Sequence, residues 1–147
     1  MKIYFDTSAI IKLYYPEKES ERLSKWNIEN QIVIPVSLFH SLEIYNAFAL
    51  KVFRGEITVE QYDRLAECFT ADIISGVIKE LYPDWNQVFQ KAAEIARIYT
   101  PDLGNRSLDI IHIALAMETG YKKIITFDKR QSDLAATNGL EVIHLAG

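Results

Sequence analysis

Ile3-Tyr4-Phe5-Asp6-Thr7-Ser8 and Ile124-Ile125-Thr126-Phe127-Asp128-Lys129, at opposite ends of the chain, share one plan: an apolar run, an aspartate that closes it, and polar residues after. Isoleucine and aromatic runs bounded by polar residues read as short strands. Each aspartate then stands at the carboxyl end of its strand, where open α/β sheets form their sites. If the two strands are neighbours, Asp6 and Asp128 meet. Carboxylates placed together cost stability unless something positive pairs with them, and Lys129 is the first basic residue directly beside either one.

The rest of the chain alternates in the same way. Strands are expected at residues 2–6, 31–35, 77–82, 123–127 and 141–145. The continuously apolar Ile32-Val33-Ile34 and Ile124-Ile125 suit strands covered on both faces. The run at 77–82 reads equally well as an extension of the helix before it. Helices are expected from Ser8 to Tyr15, ended by Pro16, over 18–28, and from a Ser37 cap to Arg54, ended by Gly55. Thr58-Val59-Glu60-Gln61 has capping-box spacing and opens another, to about Ser75. Only Gly55-Glu56-Ile57 separates these last two, which makes an antiparallel helical hairpin at about 37–75. Further helices cover 84–99, with Ala92, Ile95, Ala96 and Tyr99 facing inward, then Ser107 to Thr119, and 129–138. Strands alternating with helices argue for an α/β fold with a mainly parallel sheet. No linker, repeat or low-complexity tract interrupts residues 1–147, so a single domain is expected.

A chain of 147 residues with 49% hydrophobic and 24% charged content is ordinary for a globular protein with a substantial core. No apolar run approaches the roughly 18 residues that span a membrane. Asp6 arrives too early for a signal peptide, and the one cysteine, Cys68, cannot form an internal disulfide, so a cytoplasmic protein is expected. Cys68 lies on an amphipathic helix and reads as a packed residue. The formal charge is −4, from 20 acids and 16 bases. That excludes a strongly basic protein that grips nucleic acid through many phosphates.

Two further acids interrupt apolar helices. Asp109 falls in the first turn of its helix, where the dipole favours a carboxylate. Glu43 lies a turn and a half into its helix, with Asn46 and Ala47 on the same side. Each acid has a plainer reading: Asp6 and Asp128 as helix caps, Asp109 as a dipole partner, Glu43 as a surface residue. Four together point instead to a divalent cation, because hard cations take oxygen ligands. His112, one turn after Asp109, reads as a core histidine or as a second ligand beside it. The bases Lys51, Arg54, Arg106, Lys129 and Arg130 are candidate phosphate contacts, although lone surface bases are usually just solvated.

Tyr4-Phe5-Asp6-Thr7-Ser8-Ala9, Ser41-Leu42-Glu43, Ser107-Leu108-Asp109-Ile110-Ile111-His112-Ile113-Ala114 and Thr126-Phe127-Asp128-Lys129-Arg130 resemble, in order and spacing, the four acidic motifs of PIN domains. In size the chain most resembles the VapC-type toxin ribonucleases of toxin–antitoxin pairs. The resemblance implies a three-layer α/β/α sandwich with a mainly parallel five-stranded sheet. It also implies metal-dependent cleavage of RNA with Mg²⁺ or Mn²⁺ among Asp6, Glu43, Asp109 and Asp128, a homodimer, and an antitoxin partner. Asp6 and Asp109 would be the central ligands, Asp128 would complete the site, and Glu43 would act through water or orient the nucleophile. Ser8, Thr126, Arg106, Lys129 and Arg130 are the candidate substrate contacts. Ser8 and Thr126 read equally as local capping and strand-packing residues. A catalytically silent PIN fold that only binds, or an RNA-processing nuclease without an antitoxin, are the alternatives. A haloacid-dehalogenase phosphatase is set aside, because Ser8 stands where that chemistry wants a second acid.

Overall fold

Tyr4–Phe5 (β1) pairs in parallel with Lys123–Ile125 (β4), and β4 pairs in parallel with Glu141–Ile143 (β5). The register sets Tyr4 against Ile124 and Phe5 against Ile125. Ile3, Tyr4, Phe5, Ile124 and Ile125 are fully buried. The computed structural model describes residues 1–145. The described residues fall into two units, one of 1–6 with 82–145, the other Thr7–Leu81.

In the first unit, Trp85–Leu103 (α5), Ser107–Glu118 (α6) and Lys129–Thr137 (α7) pack on one another. The apolar α6 is the deepest, with Ile110 and every residue from His112 to Ala116 buried. The α5 helix buries Val88, Ala92 and Ile95, while Ala96 and Tyr99 are only partly covered. This helix runs four residues past the expected stop, through Pro101. A proline in a last turn forfeits one hydrogen bond but has a helical φ, so the helix ends only at Gly104. Gly104 sits at φ 65 with its N–H on the Thr100 carbonyl at 2.8 Å.

In the second unit, Ile34–Val36 (β2) pairs in parallel with Ile78–Glu80 (β3) beneath Thr7–Tyr14 (α1), Ser20–Asn30 (α2), Leu38–Phe53 (α3) and Val59–Ser75 (α4). The hairpin of α3 and α4 forms where expected. Thr58 and Gln61 make the capping box. Ser37 makes a second one whose far member is the fully buried His40, an imidazole accepting the Ser37 N–H at 3.1 Å.

The α/β class and parallel pairing hold, but the five strands divide between two sheets, of three and two, instead of forming one. Pro35 supplies a reason. The Ile34 N–H and Val36 carbonyl both bond toward the β3 side, to Val77 and Leu81. The donor missing at Pro35 is therefore lost from the other edge of β2. Val33 is half-exposed and lies before the strand, not inside a doubly covered one. Cys68 is exposed, not packed. Among the described residues, no helix is long and apolar enough to cross a membrane.

Tyr14 ties α1 to α4: its hydroxyl donates to Asp72 at 2.5 Å, and its ring meets Phe69 edge-on. Burial first, then the Asp72 carboxylate, push the Tyr14 phenol far above its ordinary value. A raised pKa stabilises the fold below the unfolded value, about 10 for tyrosine, and that contribution is lost as pH rises beyond it. Tyr14→Phe should cost about 1–3 kcal/mol at pH 7, with the gap from wild type narrowing above about pH 10. Denaturant unfolding across pH 7–11 measures this. A gap that stays constant excludes the raised Tyr14 pKa.

Candidate metal centre

The β1–β4 register places the residue after each strand side by side, Asp6 next to Thr126. The Asp6 N–H reaches the Ile125 carbonyl at 3.4 Å. The Thr126 hydroxyl donates to the Asp6 carboxylate and accepts the Asp128 N–H at 3.2 Å. One hydroxyl thus links the Asp6 carboxylate to the Asp128 backbone. Asp6 is 5% exposed, as is Thr126, whereas Asp128 faces solvent. Asp128 also caps α7, its Oδ1 accepting the Gln131 N–H at 3.0 Å. Capping and site membership were alternatives in the sequence; one carboxylate with two oxygens serves the first and leaves capacity for the second.

Asp109 occupies the first turn of α6, its side chain 20% exposed. Arg106, one turn earlier and largely exposed, approaches it at 3.5 Å. Adjacency along the chain hid this cation; the i, i+3 spacing on a helix reveals it. Glu43 lies in the other unit, on α3, and accepts the Thr7 hydroxyl at 2.7 Å. Thr7 is the residue that follows Asp6 in the chain.

His112 is buried, its Nδ1 hydrogen-bonded to the Tyr4 hydroxyl at 2.7 Å and its ring edge-on to Tyr4. That is the satisfied core histidine. Lys51 is engaged by Glu56 at 3.6 Å and by the Tyr15 ring, and Lys129 pairs with Asp133 at 3.3 Å. Ser8, Arg54, Arg106 and Arg130 are exposed.

Asn105 escaped the sequence reading. It is 6% exposed and donates to the Arg130 carbonyl at 3.1 Å, a contact across 25 positions that no local spacing encodes.

The donor set is all carboxylate oxygen, which suits a hard cation. Among the described residues, no three acid, histidine or cysteine side chains gather into a ready cage. Mg²⁺ does not require one, being held by one or two carboxylates with waters and substrate oxygens. Asp6 and Asp128, joined through Thr126, fit that requirement.

No curated protein matches the chain in sequence. Among solved structures, FitAcB of Neisseria gonorrhoeae is similar at 21% identity and TM-score 0.69, covering 97% of this chain and 96% of that one. VapC20 of Mycobacterium tuberculosis, a sarcin–ricin loop cleaving toxin, is similar at 18% identity and TM-score 0.68, covering 97% and 100%. FitAB bound to an IR36 DNA fragment gives 21% and 0.69, covering 99% and 98%. These likenesses concern the fold. The PIN domain model matches residues 3–137, nearly the whole chain, and the chain belongs to the PIN domain family.

Proposed function

We propose that the chain is an endoribonuclease that hydrolyses RNA phosphodiester bonds with Mg²⁺ or Mn²⁺, and that it is the toxin of a toxin–antitoxin pair. The observation that carries this reading is the Thr126 hydroxyl joining Asp6 to Asp128 at the ends of adjacent parallel strands, in a chain of PIN family membership. The sarcin–ricin loop cleaving toxin among the fold neighbours supports the biological role. On this reading residues 1–147 act as one cytoplasmic nuclease domain, as a homodimer, with an antitoxin covering the acids.

Asp6, Asp109 and Asp128 would hold the cation, and Glu43 would ligate through water or orient the nucleophile. When bound, the cation lowers the pKa of water and stabilises charge on the phosphoryl oxygens. The chain's own contribution is placement. Buried Asp6 is held by Thr126, and Asp128 is held at the mouth of α7 by the Gln131 N–H. Thr7 fixes the Glu43 carboxylate, and the first turn of α6 carries Asp109. Arg106, Arg130 and Lys129 would offer charge to the phosphates, with Ser8 as a hydrogen-bonding group.

Purified protein incubated with total RNA should cleave it in Mn²⁺ and not in EDTA, and Asp6→Asn should abolish cleavage. Equal cleavage by wild type and Asp6→Asn would mean a contaminant. A folded wild type that binds RNA without cutting it would make the chain a binding module. Asp109→Asn should change metal-free stability by no more than about 1 kcal/mol, because its partner Arg106 is exposed. The same variant should lose the Mn²⁺-induced rise in Tm; retention of the full rise removes Asp109 from the site.

Thr126→Val keeps the shape, but leaves the Asp128 N–H without its acceptor. It should cost about 1–3 kcal/mol in thermal or denaturant unfolding. Cleavage should fall about 10–100-fold, with Thr126→Ser recovering most of it. Full activity in Thr126→Val would show that the link between the acids is dispensable.

A further inference from the structure

One peptide group in α7 is gripped from both sides. Its carbonyl, on Arg130, accepts the Asn105 side-chain amide at 3.1 Å, and its N–H, on Gln131, donates to Asp128 Oδ1 at 3.0 Å. Asn105 thereby reaches the Asp128 carboxylate through a single rigid plane. Asn105 also stands between Gly104, which ends α5, and Arg106, the cap residue of α6, four positions before Asp109. The contact therefore ties the segment that launches Asp109 to the turn that carries Asp128.

Two features mark this tie as more than packing. The Arg130 carbonyl belongs to the first turn of a helix, where the backbone can supply an acceptor's partner without help. The polar atoms around it are buried at a cost the fold does not recover. Asn105 Oδ1 and both side-chain atoms of Gln131 are buried without a hydrogen-bond partner among the described residues, and Gln131 is 1% exposed. Such orphans cost about 1–3 kcal/mol each, so a purely structural role would be served better by apolar residues. A hydrogen bond to a peptide carbonyl also polarises that peptide and strengthens its N–H as a donor.

We propose that Asn105 is a positioning residue for the metal centre, holding Asp128 in place through the Arg130–Gln131 peptide and coupling it to the start of the Asp109 helix. The proposal rests on the metal-dependent reading above. Residues that orient a metal's ligands typically contribute about 10–100-fold to affinity, which sets the size of effect to be read for Asn105.

The test is Asn105→Leu, which keeps the branched outline but lacks a donor, beside Asn105→Gln, which keeps the amide on a longer stem. Three quantities are measured: Mn²⁺ affinity by calorimetry, metal-free Tm, and hydrogen exchange of the Gln131 amide by NMR. Asn105→Leu should weaken Mn²⁺ binding about 10-fold or more and speed Gln131 exchange, with metal-free Tm unchanged or higher; Asn105→Gln should restore part of the affinity. If Asn105→Leu does not fold, Asn105→Ser, too short to reach the carbonyl, carries the same expectation. A fall in Tm with unchanged Mn²⁺ affinity and Gln131 exchange makes Asn105 a packing residue and overturns the proposal alone. A wild type that does not bind Mn²⁺ overturns the metal reading and this inference together.

Discussion

The parallel pairing of Tyr4 with Ile124 and Phe5 with Ile125 is the constraint on which the candidate centre depends. Side chains in a strand alternate faces, so a slip of one residue would exchange the side chains packed on the two covered faces and carry Asp6 away from Thr126. Strands this short have few ladder bonds to resist a slip. Burial resists it instead. Tyr4, Phe5, Ile124 and Ile125 are wholly buried, each apolar side chain worth about 1.5–3 kcal/mol. The Thr126–Asp6 hydrogen bond exists only in the same register. Core and site therefore specify one alignment, and neither can shift without the other.

Within that alignment the acids are unequal. Asp6 is buried and held at its own backbone and by Thr126, so its position is set by the sheet. Asp128 faces solvent, and its position is set by a helix cap and by the peptide that Asn105 grips. Asp109 has an exposed arginine as its neighbour, a partner that salt and competing ions can replace. On the proposed reading this is a useful division. The sheet fixes one ligand and the α7 cap holds a second, while Asp109 retains enough freedom to accept a cation that keeps part of its water.

The parts of this arrangement legible in the sequence are those governed by local rules. Aspartates ending apolar runs, the Thr58–Gln61 capping box, the Ser37 cap and Gly55 at the hairpin turn all depend on neighbours within a few positions. What stayed hidden depends on context. Pro35 was visible, but which strand edge its missing N–H faced was not. Pro101 reads as a breaker until it proves to lie in a last turn, where little is lost. His40 gives no ligand spacing because its partner is the cap of its own helix. Asn105 gives none because its partner is 25 residues away.

Charge sets the order of events on the proposed reading. The chain has 20 acids and 16 bases, so setting aside Asp6, Glu43, Asp109 and Asp128 leaves it balanced. Several of the bases are committed: Lys12 to Glu17 and Glu19, Lys51 to Glu56, and Lys123 to Glu141. What remains is too little positive charge to draw a polyanion toward a group of carboxylates by long-range attraction. A phosphate approaching those acids alone meets repulsion, which a bound divalent cation would reduce while offering the phosphate a direct positive contact. On that reading the metal binds first, and the nucleic acid then meets a centre whose negative charge has already been lowered.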